Sequence, residues 1–395
     1  MILRLSLGFL CLAVASLPWS KGTTSVALGV SALSLIVFLR GAPRKLPTLS
    51  IPTALVLLSA IYSTYRSEFP LAAYQDVKGL WAIFAFFLAF GIARQGAPLK
   101  ALPAIFLISA GLAGCYAFSE VSGWFGNPVL RSAGTLVLFK FTFLMALASV
   151  WSLFFLLSVP IKKSWVALFP LSGSLLGIVA EGSISGIAAL LSGLVFLTVL
   201  LFLLDKKKLL ALPALLLLLL LIPTNQSKLL STKLHSFNEN LSNPVSSPGI
   251  RLALWKGSWN LFKESPFLGC GVGDFQKEFY ALNPPVGSLD SSGNPHARFD
   301  HAHSAFFHLL ATQGILGVTA FLCWFARLIT RLWESAKERS PWAIASLLGI
   351  GTWLGMGISG GVLSSYFLAA MLIPCGVAIG LKEKLSPKLA AKTRV

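Results

Sequence analysis

Charge is scarce in this sequence. Of 395 residues only 12% are Asp, Glu, Lys or Arg, and 14 are acidic, where an ordinary soluble domain is about 25% charged. With 55% hydrophobic residues and a mean hydropathy of +0.78, that poverty excludes a soluble globular fold, whose interior has no room for so much apolar surface. A bilayer accepts it on every spanning helix. Cysteine is sparse as well: Cys11, Cys115, Cys270, Cys323 and Cys375 are scattered, four of them in hydrophobic stretches, with only Cys270 expected to be water-accessible. Neither a disulfide framework nor a cysteine zinc site is indicated. The five histidines, His235, His296, His301, His303 and His308, all fall within or just beyond one polar segment.

What the chain does have is lysine and arginine, 32 of them, for a formal charge of +18. Apolar runs near residues 4–20, 24–39, 50–65, 77–93, 102–119, 136–160, 164–180, 185–204, 209–223, 304–326, 342–360 and 361–381 predict twelve spans. Trp19 and Lys21 make a poor cleavage site, so the first run reads as a retained helix. With both termini inside, twenty basic residues fall on the cytoplasmic side. Five (Lys21, Arg66, Lys78, Arg131 and Lys140) fall on the short outer connections and their helix ends, and the other seven lie in residues 224–303. Twenty against five orients the chain and makes the positive charge an insertion signal facing anionic lipid, not a nucleic-acid surface. The expected architecture is an all-α polytopic membrane protein of about twelve transmembrane helices. It divides into residues 1–223 (helices 1–9), a partly helical periplasmic loop domain over 224–303, and residues 304–395 (helices 10–12 and a cytoplasmic basic tail).

Residues 224–303 are rich in Asn, Ser, Pro and Gly and interrupt a tight series of spans; a loop this long among short ones is usually functional. Ser247-Pro248-Gly249 precedes a helix predicted over Ile250 to Glu264, stopped by Pro266 and the glycines of PFLGCGVGDF. Arg251, Trp255 and Trp259 share one face of it, with Leu254, Leu261 and Phe262 supporting an apolar surface. Two readings stand: an interfacial helix with a snorkelling arginine and belt tryptophans, or a phosphate clamp in which the guanidinium fork of Arg251 meets phosphate oxygens. Gly269, Gly271 and Gly273 are not a Rossmann fingerprint, since no strand precedes them and no fingerprint helix follows. They serve a sharp backbone turn, or a phosphate-cradling nest.

The loop ends in Asp300-His301-Ala302-His303-Ser304, and a hydrophobic helix follows. Counted from His303 there is Ser304, nine residues, Gly314, two residues, and Gly317. This spacing resembles the signature of O-antigen ligases in the bacterial ligase/polymerase superfamily. IRLALWKGSWNLFKESPFLGCGVGDF is similar to that family's outer-loop block, and Arg131 with Gly134-Thr135 to an upstream feature. One departure concerns the Ser-Arg-Gly often found at the outer start of the helix before the loop. Here the stretch reads GSISGIAAL, Ser185 meets Gly186 directly, and the arginine is missing.

The resemblance implies a GT-C-like membrane glycosyltransferase of the bacterial inner membrane, with its active site facing the periplasm. It would transfer O-antigen glycan from undecaprenyl diphosphate to a hydroxyl of the lipid A core by inverting direct displacement. The alternatives are an O-antigen polymerase or a protein O-oligosaccharyltransferase of the same superfamily, and, in another class, a lipid-linked sugar transporter or flippase. A sugar hydroxyl is a poor nucleophile at neutral pH, so a base near pKa 6.5 is useful, and His303 is the candidate. A departing diphosphate gathers negative charge, which fixed cations stabilise. Arg251 is the candidate for that catalytic role, with Arg131 and Lys140 as further substrate-binding cations; if the missing arginine serves to hold a lipid diphosphate, its job passes to Arg131, Lys140 or Arg251, or the substrate differs. His301 with Asp300 orients His303 or meets the acceptor, and Ser304 and Trp255 complete the expected substrate contacts. No metal and no cofactor is expected; the partners are the lipid-linked donor, the lipid A core acceptor and membrane lipids, with no nucleic acid. His308 is expected to be a packed helix residue, and Glu181 either another acceptor-side base or, on the plainer account, a water-exposed carboxylate at a helix end.

Overall fold

Every element among the described residues is a helix, in keeping with the long apolar runs. The computed structural model describes residues 2–38, 49–124, 126–127, 129, 132–134, 136, 138–158, 165–204, 243, 245–283, 286, 299–357 and 365–392. In order these form α1 (Ile2–Ser16), α2 (Lys21–Phe38), α3 (Ser50–Arg66), α4 (Pro70–Val77), α5 (Ile83–Arg94), α6 (Leu102–Val121), α7 (Leu138–Ser158), α8 (Leu168–Glu181) and α9 (Ile184–Leu204). After residues 205–242 come α10 (Ser247–Glu264), α11 (Phe275–Leu282), α12 (Ala305–Lys337), α13 (Pro341–Gly357) and α14 (Ser365–Lys392), and no strand occurs among the described residues. Leu102–Val121, Lys140–Ser158, Ile184–Leu204 and Ala305–Lys337 are long and apolar enough to cross a membrane, while Ile2–Ser16, Lys21–Val37, Ile83–Arg94 and Leu168–Glu181 are apolar but shorter. Eleven of the twelve expected apolar spans fall on helices. The run at 209–223, together with Arg131, Thr135, His235 and His296, lies outside the described residues.

Helix α7 is the centre of the main core. Phe141, Phe143, Leu144, Met145 and Leu147 are almost wholly buried, and α6, α8, α9, α13 and α14 pack around them. Small residues let the flanking helices close up. A side chain at Gly111 or Gly114 of α6 would strike the α8 backbone at Pro170 or Gly173, the close approach that drives helix association where apolar burial gives no gain against lipid.

A second, smaller core lies under α10 and α11, made of Leu254, Leu261, Phe275, Phe279, Val286, Ala302 and Ala311. Phe275 and Phe279 are fully buried and stack at 5.4 Å. Each contributes roughly 1.5–3 kcal/mol by leaving water. Because Ala302 and Ala311 belong to this cluster, the cap is tied to both the entry and the first half of α12.

At 33 residues, α12 is about 50 Å long, well over the ~30 Å hydrocarbon thickness of a bilayer. It is broken at Gly314, whose φ of 62° and ψ of −161° fall in a region open essentially to glycine alone. The backbone groups released by the break are taken up by the loop Pro266–Gly271. Cys270 and Gly271 N–H donate to the carbonyls of Ala311 and Thr312 (2.8 and 3.0 Å), and Ile315 and Leu316 N–H donate to the carbonyls of Pro266 and Phe267 (2.9 and 3.3 Å). Helix α3 seals the other side: Ser63 Oγ donates to the Thr312 carbonyl at 3.0 Å and accepts from Val272 N–H at 2.9 Å, while Ser59 Oγ donates to Gln313 Oε1 at 2.8 Å. The loop and helix backbones run so close that a Cβ on Gly314 would lie 2.5 Å from the Phe267 carbonyl carbon, and one on Gly269 2.3 Å from that of Thr312. Gly314→Ala is therefore expected to lose about 1–3 kcal/mol from backbone strain alone. Gly349→Ala, where the added methyl meets only Leu147 at 3.5 Å, is expected to be neutral or stabilising. Denaturant titration of the two variants in detergent checks the contrast; equal midpoints would remove the role assigned to the break.

Candidate functional site

Helix α10 begins where the sequence signals it, with Ser246 Oγ accepting from Gly249 N–H at 3.1 Å as an N-cap and a proline in the first turn. Leu254 and Leu261 face the small core. This turns Trp255 toward α12, where its ring stacks on Phe307 with centroids 5.5 Å apart and planes 16° from parallel. Arg251 lies four residues before Trp255 and His303 four before Phe307, so the stack sets the starts of the two segments side by side. Arg251 is half-buried. Burial lowers its pKa, though a guanidinium stays charged throughout the physiological range.

The two histidines of the His-Ala-His run project together because the residue between them is anchored. Ala302 is fully buried in the small core. Their rings come within 4.3 Å, centroid to centroid. His303 takes a left-handed φ of 50°, uncommon outside glycine, and Phe299 meets its ring edge-on at 5.5 Å. Tyr280 Oη fixes the approach to this run by accepting from Phe299 N–H at 3.1 Å. Asp300 Oδ1 lies 2.5 Å from His301 Nδ1, and this hydrogen bond holds the Asp300 carboxyl below its ordinary range. Ser304 then opens α12 with an extended backbone and no side-chain capping bond.

Burial, and then the neighbouring charges of His301 and Arg251, push the His303 imidazole down to about 4, with the Asp300 carboxylate pulling the other way. The imidazole is therefore neutral at physiological pH, an acceptor with a cation on one flank and an Asp–His pair on the other. Trp255 keeps a buried indole N–H that makes no hydrogen bond.

The structure brings Arg251, Trp255, His301, His303 and Ser304 to one place, the head of α12. Lys140 stands elsewhere, at the start of α7, with Lys21 as the cation acting on it, and it is not among the charges that act on His303. His308 packs edge-on against Phe275 at 5.2 Å, as expected. Two expectations need correction. Glu181 is fully buried, its Oε2 accepting from Ser183 N–H at 2.9 Å where the chain turns from α8 into α9. Cys270 is only partly exposed, because its sulfur sits in the loop packed on the α12 break, and burial pushes its thiol up to about 12.

Sequence reasoning missed the anchor that holds the loop down. Asp274, buried, accepts from Ser67 Oγ at 2.8 Å and from the N–H groups of Glu68 and Phe69 at 3.2 and 3.3 Å. Arg66 Nη1 donates to the Gly269 carbonyl at 3.5 Å, and Lys277 pairs with Glu68 at 2.7 Å. These partners lie more than 200 residues apart in the chain, so no local pattern announces them.

Among known proteins, a family model described as O-antigen ligase matches residues 165–322, about two-fifths of the chain. The matched stretch includes α8 and α9, the cap helices, and α12 as far as five residues past Gly317. No curated protein matches the chain significantly.

A histidine held neutral has a testable pH signature. Below pH 6.5 the unfolded chain takes up a proton that the folded His303 refuses until about pH 4, so its contribution makes stability fall as pH drops through that window. Carbethoxylation consumes the neutral imidazole. Labelling of His303 followed by mass spectrometry is expected to show a midpoint near pH 4, and Arg251→Gln is expected to move that midpoint upward by removing a positive neighbour. An unmoved midpoint would show that the guanidinium is not the group acting on the ring.

Proposed function

With residues 165–322 carrying an O-antigen ligase family domain, we propose that this chain is a metal-independent, inverting glycosyltransferase. It moves O-antigen glycan from undecaprenyl diphosphate to a hydroxyl of the lipid A core. The observation that carries the reading is the neutral His303 imidazole at the head of α12 with the Arg251 charge acting on it: a proton acceptor and an anion-stabilising cation in one place, the two groups that such a displacement needs.

In the proposed step the acceptor oxygen forms its bond to the anomeric carbon as the bond from that carbon to the diphosphate oxygen breaks. The hydroxyl proton passes to His303, and the diphosphate leaves with the bonding electron pair. Single displacement inverts the anomeric centre. The attacking hydroxyl grows acidic as its bond forms, so an imidazole that is a weak base in the resting protein accepts the proton late, and the Asp300 carboxylate favours the imidazolium that results. Arg251 stabilises the growing diphosphate charge. Ser304 Oγ and Trp255 Nε1 supply neutral donors at the same edge, and Arg131 completes the binding of the donor's anionic head. Around this site we place about twelve spans in a bacterial inner membrane, both termini in the cytoplasm and residues 224–303 in the periplasm, with residues 1–223 and 304–395 forming the membrane bundle.

Complementation of a ligase-null strain tests the assignment. His303→Ala and Arg251→Ala are expected to express normally and to cut transfer by about 100-fold or more, leaving unmodified core on lipopolysaccharide gels while lipid-linked glycan accumulates. Wild-type ladders from His303→Ala would remove the base assignment. Core bearing a single repeat unit in the null strain would make the chain a polymerase, and movement of donor lipid without product by the detergent-purified protein would favour transport.

A further inference from the structure

Below the polar cluster, a cavity of 330 Å³ runs along the gap between α12 and α13. Trp255 and Ser304 line it beside that cluster, and Phe307, Phe321, Phe325 and Trp353 are among its other walls. Two features separate it from a packing defect. Both of these lining residues carry an idle donor, since the Trp255 indole N–H is buried without a hydrogen bond and the Ser304 hydroxyl does not cap its helix. And the charged groups adjoin the same two lining residues: Arg251 is one helical turn from Trp255, and His303 is next to Ser304. An apolar pocket with donors in one wall and a fixed cation beside them complements a ligand with an anionic head and a hydrocarbon tail.

The size of the pocket bounds the tail. An apolar cavity of roughly 150 Å³ takes one benzene, about 25 Å³ per carbon. At that ratio the cavity holds about thirteen carbons, or two to three isoprene units. We propose that this cavity binds the phosphate-proximal two or three isoprene units of a polyprenyl diphosphate, and that the protein recognises no more of the chain than that. The proposal rests on the donor class assigned above. It adds a specificity rule: affinity depends on the first ten to fifteen carbons and is indifferent to the remainder, which stays in the lipid phase.

The rule is tested by binding alone, without transfer, so that a failure of the glycosyltransferase reading and a failure of this one separate. Isopentenyl, geranyl, farnesyl and undecaprenyl diphosphates, none carrying a glycan, are titrated onto the full-length protein in mixed micelles. Kd is expected to fall about tenfold or more from five to fifteen carbons and to change less than about threefold from fifteen to fifty-five. Leu322 also lines the cavity and is 51% exposed, so Leu322→Trp partly fills the space with little risk to folding. That variant is expected to weaken the farnesyl and undecaprenyl ligands about tenfold and leave isopentenyl diphosphate unchanged, whereas Arg251→Gln weakens all four alike. A Kd that keeps falling to fifty-five carbons, a length dependence that survives Leu322→Trp, or failure of farnesyl diphosphate to bind would overturn the proposal. So would farnesol or a phospholipid competing as well as the diphosphate, because the occupant would then be any hydrocarbon chain.

Discussion

The break in α12 at Gly314 is the constraint from which the rest of the site follows. A helix interrupted among apolar neighbours frees carbonyls and N–H groups that cost several kcal/mol each if left unpaired, and here four of them pair with the backbone of Pro266–Gly271. The bonds run from backbone to backbone and so require close approach, which is why glycine stands on both sides of the contact at Gly314 and Gly269. Once the loop is locked onto the break, the helices either side of it have little freedom. Helix α10 ends immediately before the loop and α11 begins just after it, so both are carried onto the outer half of α12. The stacking of Trp255 on Phe307 then fixes the rotation of α10, and with it the side on which Arg251 stands.

This architecture explains why the signature spacing extends so far past the histidine. Two glycines eleven and fourteen residues downstream of His303 lie about 16 and 21 Å along a helix from it, too far to touch anything bound at the imidazole. Gly314 makes the break. Gly317 lies against Gln313 and Ser59, where an added Cβ would meet Gln313 Cβ at 2.3 Å and Ser59 Oγ at 3.1 Å. The motif thus joins a chemical residue to the backbone joint that positions its surroundings.

Much of the fold was legible because apolar runs and turn residues act locally. The Ser-Pro-Gly start of α10 and its end before Pro266 fall within a few residues of the expected bounds, since a cap and a proline act on the backbone next to them. The glycines of PFLGCGVGDF were legible as sharp turns, but their partner was not, because a backbone hydrogen bond to Ala311 or Thr312 leaves no side-chain signal. The same holds for Asp274, which reads as one more loop carboxylate until α3 and α4 are brought against it. Glu181 was misjudged for a related reason: its position at a helix end is visible in the sequence, whereas the burial of that end depends on neighbours elsewhere in the chain. Of the cations offered as stand-ins for the missing arginine, proximity in the sequence could not separate Arg251 from Lys140. Packing does, by setting Arg251 within electrostatic reach of His303 and Lys140 beside Lys21.

The charges at the head of α12 also couple binding to proton transfer on the proposed reading. In the resting protein the imidazole is a poor base, held so first by burial and then by its neighbours His301 and Arg251. Neutralisation of Arg251 by a bound diphosphate would cancel one of the influences that depress it, while the Asp300 carboxylate, which acts in the opposite direction, would remain. Basicity would therefore rise when the donor is seated and fall again as the lipid diphosphate leaves. An enzyme that handles an activated glycan beside water gains from that order of events, because a base that is strong only in the loaded site does not activate stray nucleophiles in the empty one. The tail cavity adds the complementary control. It is lined by Trp255 and Ser304 of the same cluster, so a molecule that seats its head against Arg251 without a hydrocarbon chain leaves the apolar wall unfilled and forfeits that part of the binding free energy.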